Sequence, residues 1–262
     1  MVIDRLYGED ESYILYLLEV HKRVSNQELC EALHLSTSTV RKKLAKMEEN
    51  GLLIRTHGGA ASIDADRDET MSRKSRMNLQ NKKAIAKAAA RLIRDGDVIS
   101  LGGGSTVAEL APYLMTLKNA VVLTDSTVLS TLTIPNRNLE VHINSGIVRG
   151  RTGCVVGPSS DNLFRAYQAD KAFIGCDSFD LESGAGSDNI LVGKVEQVML
   201  KCAKERYILC DSTKLNQSTL CSFAKIPEIT ALITDDEANP EYIKRVKEAG
   251  VIVIVEPIVR SQ

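Results

Sequence analysis

Seven short apolar runs constrain this chain more than any other feature. They are Val98 to Leu101, Ala120 to Leu123, Val141 to Ile143, Lys171 to Ile174, Arg206 to Leu209, Ala231 to Ile233 and Val251 to Val255. Helical patterns separate them at Val107 to Met115, Ser159 to Gln168, Val195 to Lys204 and Pro240 to Ala249, and Leu79 to Arg94 precedes the first. The last of these patterns is well bounded, with Asn239 to cap it, Pro240 at its first position and Gly250 to stop it. Nearly continuous apolar runs alternating with helices specify an α/β fold: a mostly parallel sheet with helices on both faces. Ligands of such sheets collect beyond the C-terminal ends of the strands.

Those ends are polar in a consistent way. Gly102, Gly103, Gly104, Ser105 and Thr106 follow the first run, and Thr124, Asp125 and Ser126 the second. Asn144, Ser145 and Gly146 follow the third, and Gly175, Cys176 and Asp177 the fourth. Asp211, Ser212, Thr213 and Lys214 follow the fifth, and Thr234 and Asp235 the sixth. Small, hydroxyl and acidic residues converging on one rim predict a polar ligand site. The glycine loop is its natural anchor. Three glycines let backbone amides approach an anion closely, and Ser105 and Thr106 add hydroxyl donors. No Gly-Lys-Ser/Thr follows the loop and the spacing is not G-x-G-x-x-G, so neither a nucleoside triphosphate nor a dinucleotide is supported. A phosphate is the expected anion, with Lys214 as its cation partner and Asp125 and Asp177 as acceptors for sugar hydroxyls. The plainer readings are a tight strand-helix turn for the loop, a surface lysine and two turn aspartates.

Upstream, residues 1 to 61 read as a separate head. Glu11 to Val20 is helical, with Ile14, Leu17 and Leu18 inward, and Ser25-Asn26-Gln27-Glu28 is a capping box that opens a second helix. Ser36 or Thr37 caps a third, running to about Asn50 with Gly51 as its stop. In it Val40, Leu44 and Met47 make the buried stripe. Ser38, Thr39, Lys42 and Lys46 lie opposite, flanked by Arg41 and Lys43. Small hydroxyls at the helix start and cations further along suit a recognition helix in a major groove. A plain solvated face has the same look. The helix-turn-helix context favours DNA. Leu52 to Ala61 then reads as a hairpin turning at Gly58-Gly59, a wing from which Arg55 and His57 reach phosphate or the minor groove. The net charge is only −1, so any DNA-binding face is local. Residues 62 to 77 carry mixed charge without an apolar period and read as a linker. The second domain is then 78–262.

The run Ser36 to Leu44, followed by Gly51-Leu52-Leu53-Ile54-Arg55-Thr56-His57-Gly58-Gly59-Ala60, resembles the DeoR family of bacterial transcriptional regulators. Lys42-Lys43 stands where that family has Arg-Asp. The second domain resembles the family's sensor domain, through Lys82-Lys83-Ala84-Ile85-Ala86, Asp95-Gly96-Asp97, Gly104-Ser105-Thr106, Asp170 to Gly175 and Asp211-Ser212-Thr213-Lys214. It departs at Thr124-Asp125, where Thr-Asn is common, at Ser145-Gly146 and at Gly184-Ala185-Gly186. The resemblance implies a winged helix-turn-helix followed by a ribose 5-phosphate isomerase-like sheet domain. It further implies a repressor of a carbohydrate operon with a phosphorylated sugar as effector. One short helix reads only half an operator, so a homodimer or homotetramer is expected.

The competing reading is a sugar-phosphate isomerase with an appended head. It would draw its base and electrophile from Asp177, Asp180 and Lys214. The isomerase run Asp-Gly-Ala-Asp-Glu is absent, and Gly175 to Asp180 echoes it only in part, so no catalytic residue is assigned. His21, His34, His57 and His142 lack ligand spacing with the cysteines, so no metal or cofactor is expected. The six cysteines form no C-x-x-C pair and read as reduced thiols. With no leader-like or membrane-length apolar run, a cytoplasmic protein is expected.

Overall fold

We analysed a computed structural model of the chain, which describes residues 9–21, 23–50, 52–56, 58–62 and 71–259. The chain divides into two compact units, residues 1–68 and 69–262.

The first unit is built on three helices, Glu9–His21, Asn26–Leu33 and Thr37–Glu49. Their inward residues Ile14, Leu18, Leu29, Val40, Leu44 and Met47 share one core with Val24, Leu53 and Ala60. The capping box is formed: the Glu28 amide donates to Ser25 Oγ, and the Ser25 amide donates to the Glu28 carboxylate. His34 ends that helix in the left-handed region. Ser36 caps the third helix by accepting from the Thr39 amide. The hairpin of Ile54–Thr56 and Gly59–Ala61 gains a third strand that the sequence did not announce, Arg23–Ser25. Gly59 is required there, because a Cβ would fall 2.0 Å from the Val24 carbonyl oxygen. His57 and Gly51 lie outside the described residues.

The second unit is organised by a seven-stranded sheet in which every pairing is parallel. Its order is Ile252–Glu256, Ala231–Asp235, Ala203–Leu209, Ala169–Gly175, Val98–Leu101, Ala120–Thr124, Leu139–Ile143. Period-two alternation divides the buried residues between two cores. Val122, Phe173, Leu209 and Ile233 join Ile85 and Ala89 of the helix Leu79–Ala90 on one face. Leu123, Ile174, Ile208 and Leu232 join Val195, Met199, Ile243 and Val246 of the helices Ile190–Lys201 and Pro240–Glu248 on the other.

The order reverses at Val98–Leu101. The chain first moves outward through Ala120–Thr124 and Leu139–Ile143. It then returns to the opposite side of the first strand with Ala169–Gly175. A crevice at this switch point is where open parallel sheets bind ligands.

Several boundaries differ from the sequence reading. The helix expected over Val107 to Met115 is two short turns, Ser105–Ala108 and Ala111–Leu114. Pro112 explains the break, because it has no N–H to donate back into the first turn. The helix expected over Val195 to Lys204 runs from Ile190 to Lys201, started by Asn189, whose side chain accepts from the amides of Leu191 and Val192. The Ser159 to Gln168 helix is confined to Asn162–Ala166. A three-stranded antiparallel sheet of Ser178–Asp180, Gly184–Ser187 and Cys221–Ala224 was not anticipated. Inside the stretch read as a linker, Met71–Arg76 is helical and belongs to the second unit.

Candidate functional site

In the first unit, the third helix turns Ser36, Thr37, Ser38, Arg41, Lys42 and Lys46 to the exterior, with Thr39 half-buried. The hydroxyls at its start are already networked. Ser36 Oγ lies 2.9 Å from Ser38 Oγ and 2.8 Å from Thr39 Oγ1, and Cys30 Sγ donates to Thr37 Oγ1. Arg41, Lys42 and Lys46 therefore form the open cationic face. Lys43 is not part of it. Its ammonium pairs with Glu11 at 2.8 Å and Asp10 at 3.1 Å, acids of the first helix. Arg55 is exposed, and its amide donates to Glu48 at 2.8 Å, which ties the wing to the end of the third helix.

In the second unit, the rim at the switch point gathers five segments: the glycine loop, Cys176-Asp177, Asp211 to Lys214, the helix Met71–Arg76 and the start of the helix Leu79–Ala90. The Gly102 amide is spent on the Phe173 carbonyl. Gly103 is held tightly, because a Cβ there would lie 2.5 Å from Cys154 Sγ and 3.1 Å from Asp125 Oδ1. Gly104 has room, its nearest neighbour being the Gly175 Cα at 3.7 Å. Ser105 and Thr106 open the first short turn, where helical amides have no partner inside the helix.

Three lysines converge here. Lys74 Nζ donates to Asp177 Oδ1 at 2.8 Å. Lys82, buried on the inward face of its helix, donates to the Lys74 carbonyl. Lys214 Nζ donates to the Cys176 carbonyl at 2.8 Å. Burial, with Lys214 and Lys74 nearby, brings the Lys82 ammonium down to about 8, against the partial opposition of Asp211 and Glu109. Burial alone would lower Lys214 too, but Asp177 and Asp211 outweigh it and the net shift is upward. Burial would raise Asp177, and Lys74, Lys214 and the Asp188 amide overcome that and hold its carboxyl below its ordinary value. Asp211 Oδ1 accepts from Asn78 and from the amide and hydroxyl of Thr213, while Oδ2 is buried without a partner.

Asp125 is fully buried behind the loop, with both carboxylate oxygens lacking a hydrogen bond. The Gly103 amide and the Cys154 thiol lie beside it, off hydrogen-bonding geometry, and burial pushes its carboxyl up to about 7. Glu196, on the helix Ile190–Lys201, is in a similar state. Its Oε2 has no partner, and burial, reinforced by Asp177 and Asp125, pushes the group well above the usual range.

Not every expected residue joins this cluster. Ser145 and Gly146 follow a strand two removed from Val98–Leu101, and the Ser145 hydroxyl is given to the Ser159 carbonyl. Asp180 shapes a turn by accepting from Glu182 and Ser183. Among the described residues no group of three or more histidine, cysteine or acidic side chains is placed to hold a metal ion.

Residues 11–66 match the DeoR-like helix-turn-helix domain, and residues 77–236 match the DeoR C terminal sensor domain. The chain belongs to the DeoR family. An uncharacterized HTH-type transcriptional regulator FruR of Bacillus subtilis is 32% identical over 96% of this chain and 100% of its own. A lactose phosphotransferase system repressor of Staphylococcus epidermidis is 33% identical over 83% of this chain and 88% of its own. The likeness to solved proteins is partial. A D-ribose-5-phosphate isomerase in complex with phospho-erythronic acid shares 23% identity over 51% of this chain and 52% of that one, with a TM-score of 0.39.

Three residues of this DeoR-family rim were missed as site residues in the sequence. Lys82 and Glu196 carried a readable signal, a charge on an otherwise apolar helical stripe beside Ile85 and Ala89, and beside Val195 and Met199. Lys74 carried none, because its short helix has no apolar period.

Proposed function

We propose that the chain is a transcriptional repressor of a carbohydrate operon that leaves its operator when a phosphorylated sugar occupies the rim of the parallel sheet. The convergence of Lys74, Lys82 and Lys214 beside the Gly102–Thr106 loop carries this reading. Three buried or half-buried ammonium groups repel one another, and a phosphate relieves that repulsion. The family membership and the repressors among its relatives point the same way. Double-stranded DNA is read by Arg41, Lys42 and Lys46 with Ser38 at the helix start, and Arg55 belongs to the wing. Two heads are needed for a full operator, so the working form is a homodimer or homotetramer.

Turnover is not required of this rim. Asp177, the base an isomerase would use, is held by Lys74 with its pKa below the ordinary carboxylate value. A weakened base of this kind is poorly matched to taking a proton from carbon.

The test is operator binding followed by fluorescence anisotropy, titrated with sugar phosphates. Affinity should fall as a matching compound is added. Gly104 has room for a Cβ, and Gly104→Asp sets a negative charge where the phosphate would lie. It should abolish the response and leave operator binding intact. Equal loss of both would make the loop a structural turn only.

A further inference from the structure

Among the described residues the strand Leu139–Ile143 pairs only with Ala120–Thr124, so it forms one edge of the parallel sheet. The Asn144 amide donates to the Thr124 carbonyl, and by alternation the backbones of Glu140 and His142 face that inner strand. The backbones of Val141 and Ile143 therefore face outward, and their amides and carbonyls have no partner among the described residues. A bare ladder of this kind is a template for another strand. Edges that must stay unpaired are blunted by lysines, prolines or bulges, and this strand has none of them. Its side chains divide by face. Leu139 and Val141 pack against the core that holds Val122 and Leu129. Glu140 and His142 stand on the other face, with His142 Nε2 2.6 Å from Glu140 Oε1 and its ring against Tyr167. Ile143 is 43% exposed despite being apolar, and so are Leu132 and Ile134 at the end of the helix Thr127–Thr133 that feeds the strand, at 48% and 72%.

We infer that two copies of the chain join at this edge, by antiparallel pairing of Leu139–Ile143 with itself about a two-fold axis at Val141. The strand is complementary to its own reverse. Leu139 falls opposite the partner's Ile143 and Glu140 opposite the partner's His142, so apolar meets apolar and carboxylate meets imidazole. The outward Val141 groups bond to the partner's Val141, and the Ile143 amide reaches the partner's Leu139 carbonyl. The Leu139 amide is not called on, being given to the Asn136 carbonyl. A slip of the register by two residues sets Glu140 against Glu140 or His142 against His142, which disfavours it. The opposite edge, Ile252–Glu256, lacks this match. Paired with itself over its full length, it sets exposed Ile252 against Glu256, whose carboxylate is committed to Arg91 at 2.7 Å. The inference rests on the reading that two heads share one operator, which requires the second copy.

The experiment is disulfide cross-linking between two full-length variants, Glu140→Cys and His142→Cys. Directly opposed residues of this pairing lie about 4.5 Å apart at Cα, within disulfide range. Thiols of one variant alone lie on a diagonal of about 7–8 Å, beyond that range. Mixed, allowed to exchange subunits and mildly oxidised, the two should give a disulfide-linked dimer that neither gives alone. The unsubstituted chain, whose cysteines are all buried or half-buried, supplies the background. Ile143→Lys, at an exposed position, should raise the dimer dissociation constant at least about tenfold in sedimentation equilibrium, because the two-fold axis counts the change twice. Should that variant fail to fold, the cross-link decides. A dimer indifferent to Ile143→Lys, with no cross-link in the mixture, would overturn this edge and keep the oligomeric reading. A natural chain that stays monomeric both in sedimentation and on operator DNA would overturn both.

Discussion

Asp125 and Lys82 couple the rim to pH in opposite senses. Asp125 keeps its proton in the folded chain up to about 7, against 3.8 for a free side chain. The unfolded state therefore ionises first, and stability falls as pH rises from about 4 through 7. Asp125→Asn should raise the melting temperature at pH 8, by about 2–4 kcal/mol of stability, with little gain at pH 4. Thermal denaturation at both pH values reads the difference. Lys82 behaves conversely. It is held down to about 8 where a free lysine titrates at 10.5, so folding is favoured as pH climbs across that interval. A phosphate needs this ammonium charged. Effector affinity should weaken above pH 8, and Lys82→Arg, whose charge persists, should flatten that profile in titration calorimetry.

The recognition helix separates two lysines that adjoin in sequence. Lys42 is exposed beside Arg41 and Lys46, whereas Lys43 is tied to Asp10 and Glu11. Lys42→Ala should weaken binding to all DNA sequences and reduce the salt dependence of the affinity by about one counterion. Lys43→Ala should leave that slope in place and lower the stability of the first unit by at most about 1 kcal/mol, since the pair is partly exposed. Affinities measured from 50 to 200 mM salt, about the range in which phosphate contacts are resolved, distinguish the two. The glycine loop teaches a related lesson about elements. With only a short turn behind it, the anion site proposed there would draw on the amides that open the turn, two hydroxyls and the lysines rather than on a long helix dipole.

In the whole molecule, a DNA-reading unit and a sensing unit share one chain, and linkage makes their coupling reciprocal. If a sugar phosphate lowers operator affinity by a given factor, the operator must lower the affinity for that sugar phosphate by the same factor. Calorimetric titration with and without operator DNA should return equal factors. Unequal ones would mean that the compound acts outside the two-state scheme. Among the described residues no helix is long and apolar enough to cross a membrane.

Local chemistry in the sequence determined much of this protein. Ser25 with Glu28, Ser36 and Asn239 announced their helix starts because a cap is satisfied within three residues of itself. The apolar runs announced parallel strands because burial on both faces leaves no polar alternation. The hairpin and the glycine loop were legible because turns are chosen by their own residues. What the tertiary structure alone decided was adjacency. Strand order brought Gly102–Thr106 beside Cys176 and Asp177, while leaving Ser145 and Gly146 two strands away. It also set Lys74 against Asp177, 103 residues further along, and buried both Asp125 carboxylate oxygens without a hydrogen bond. Burial and charge coupling depend on which distant segments meet, and the periodicity of a single segment carries no record of its neighbours.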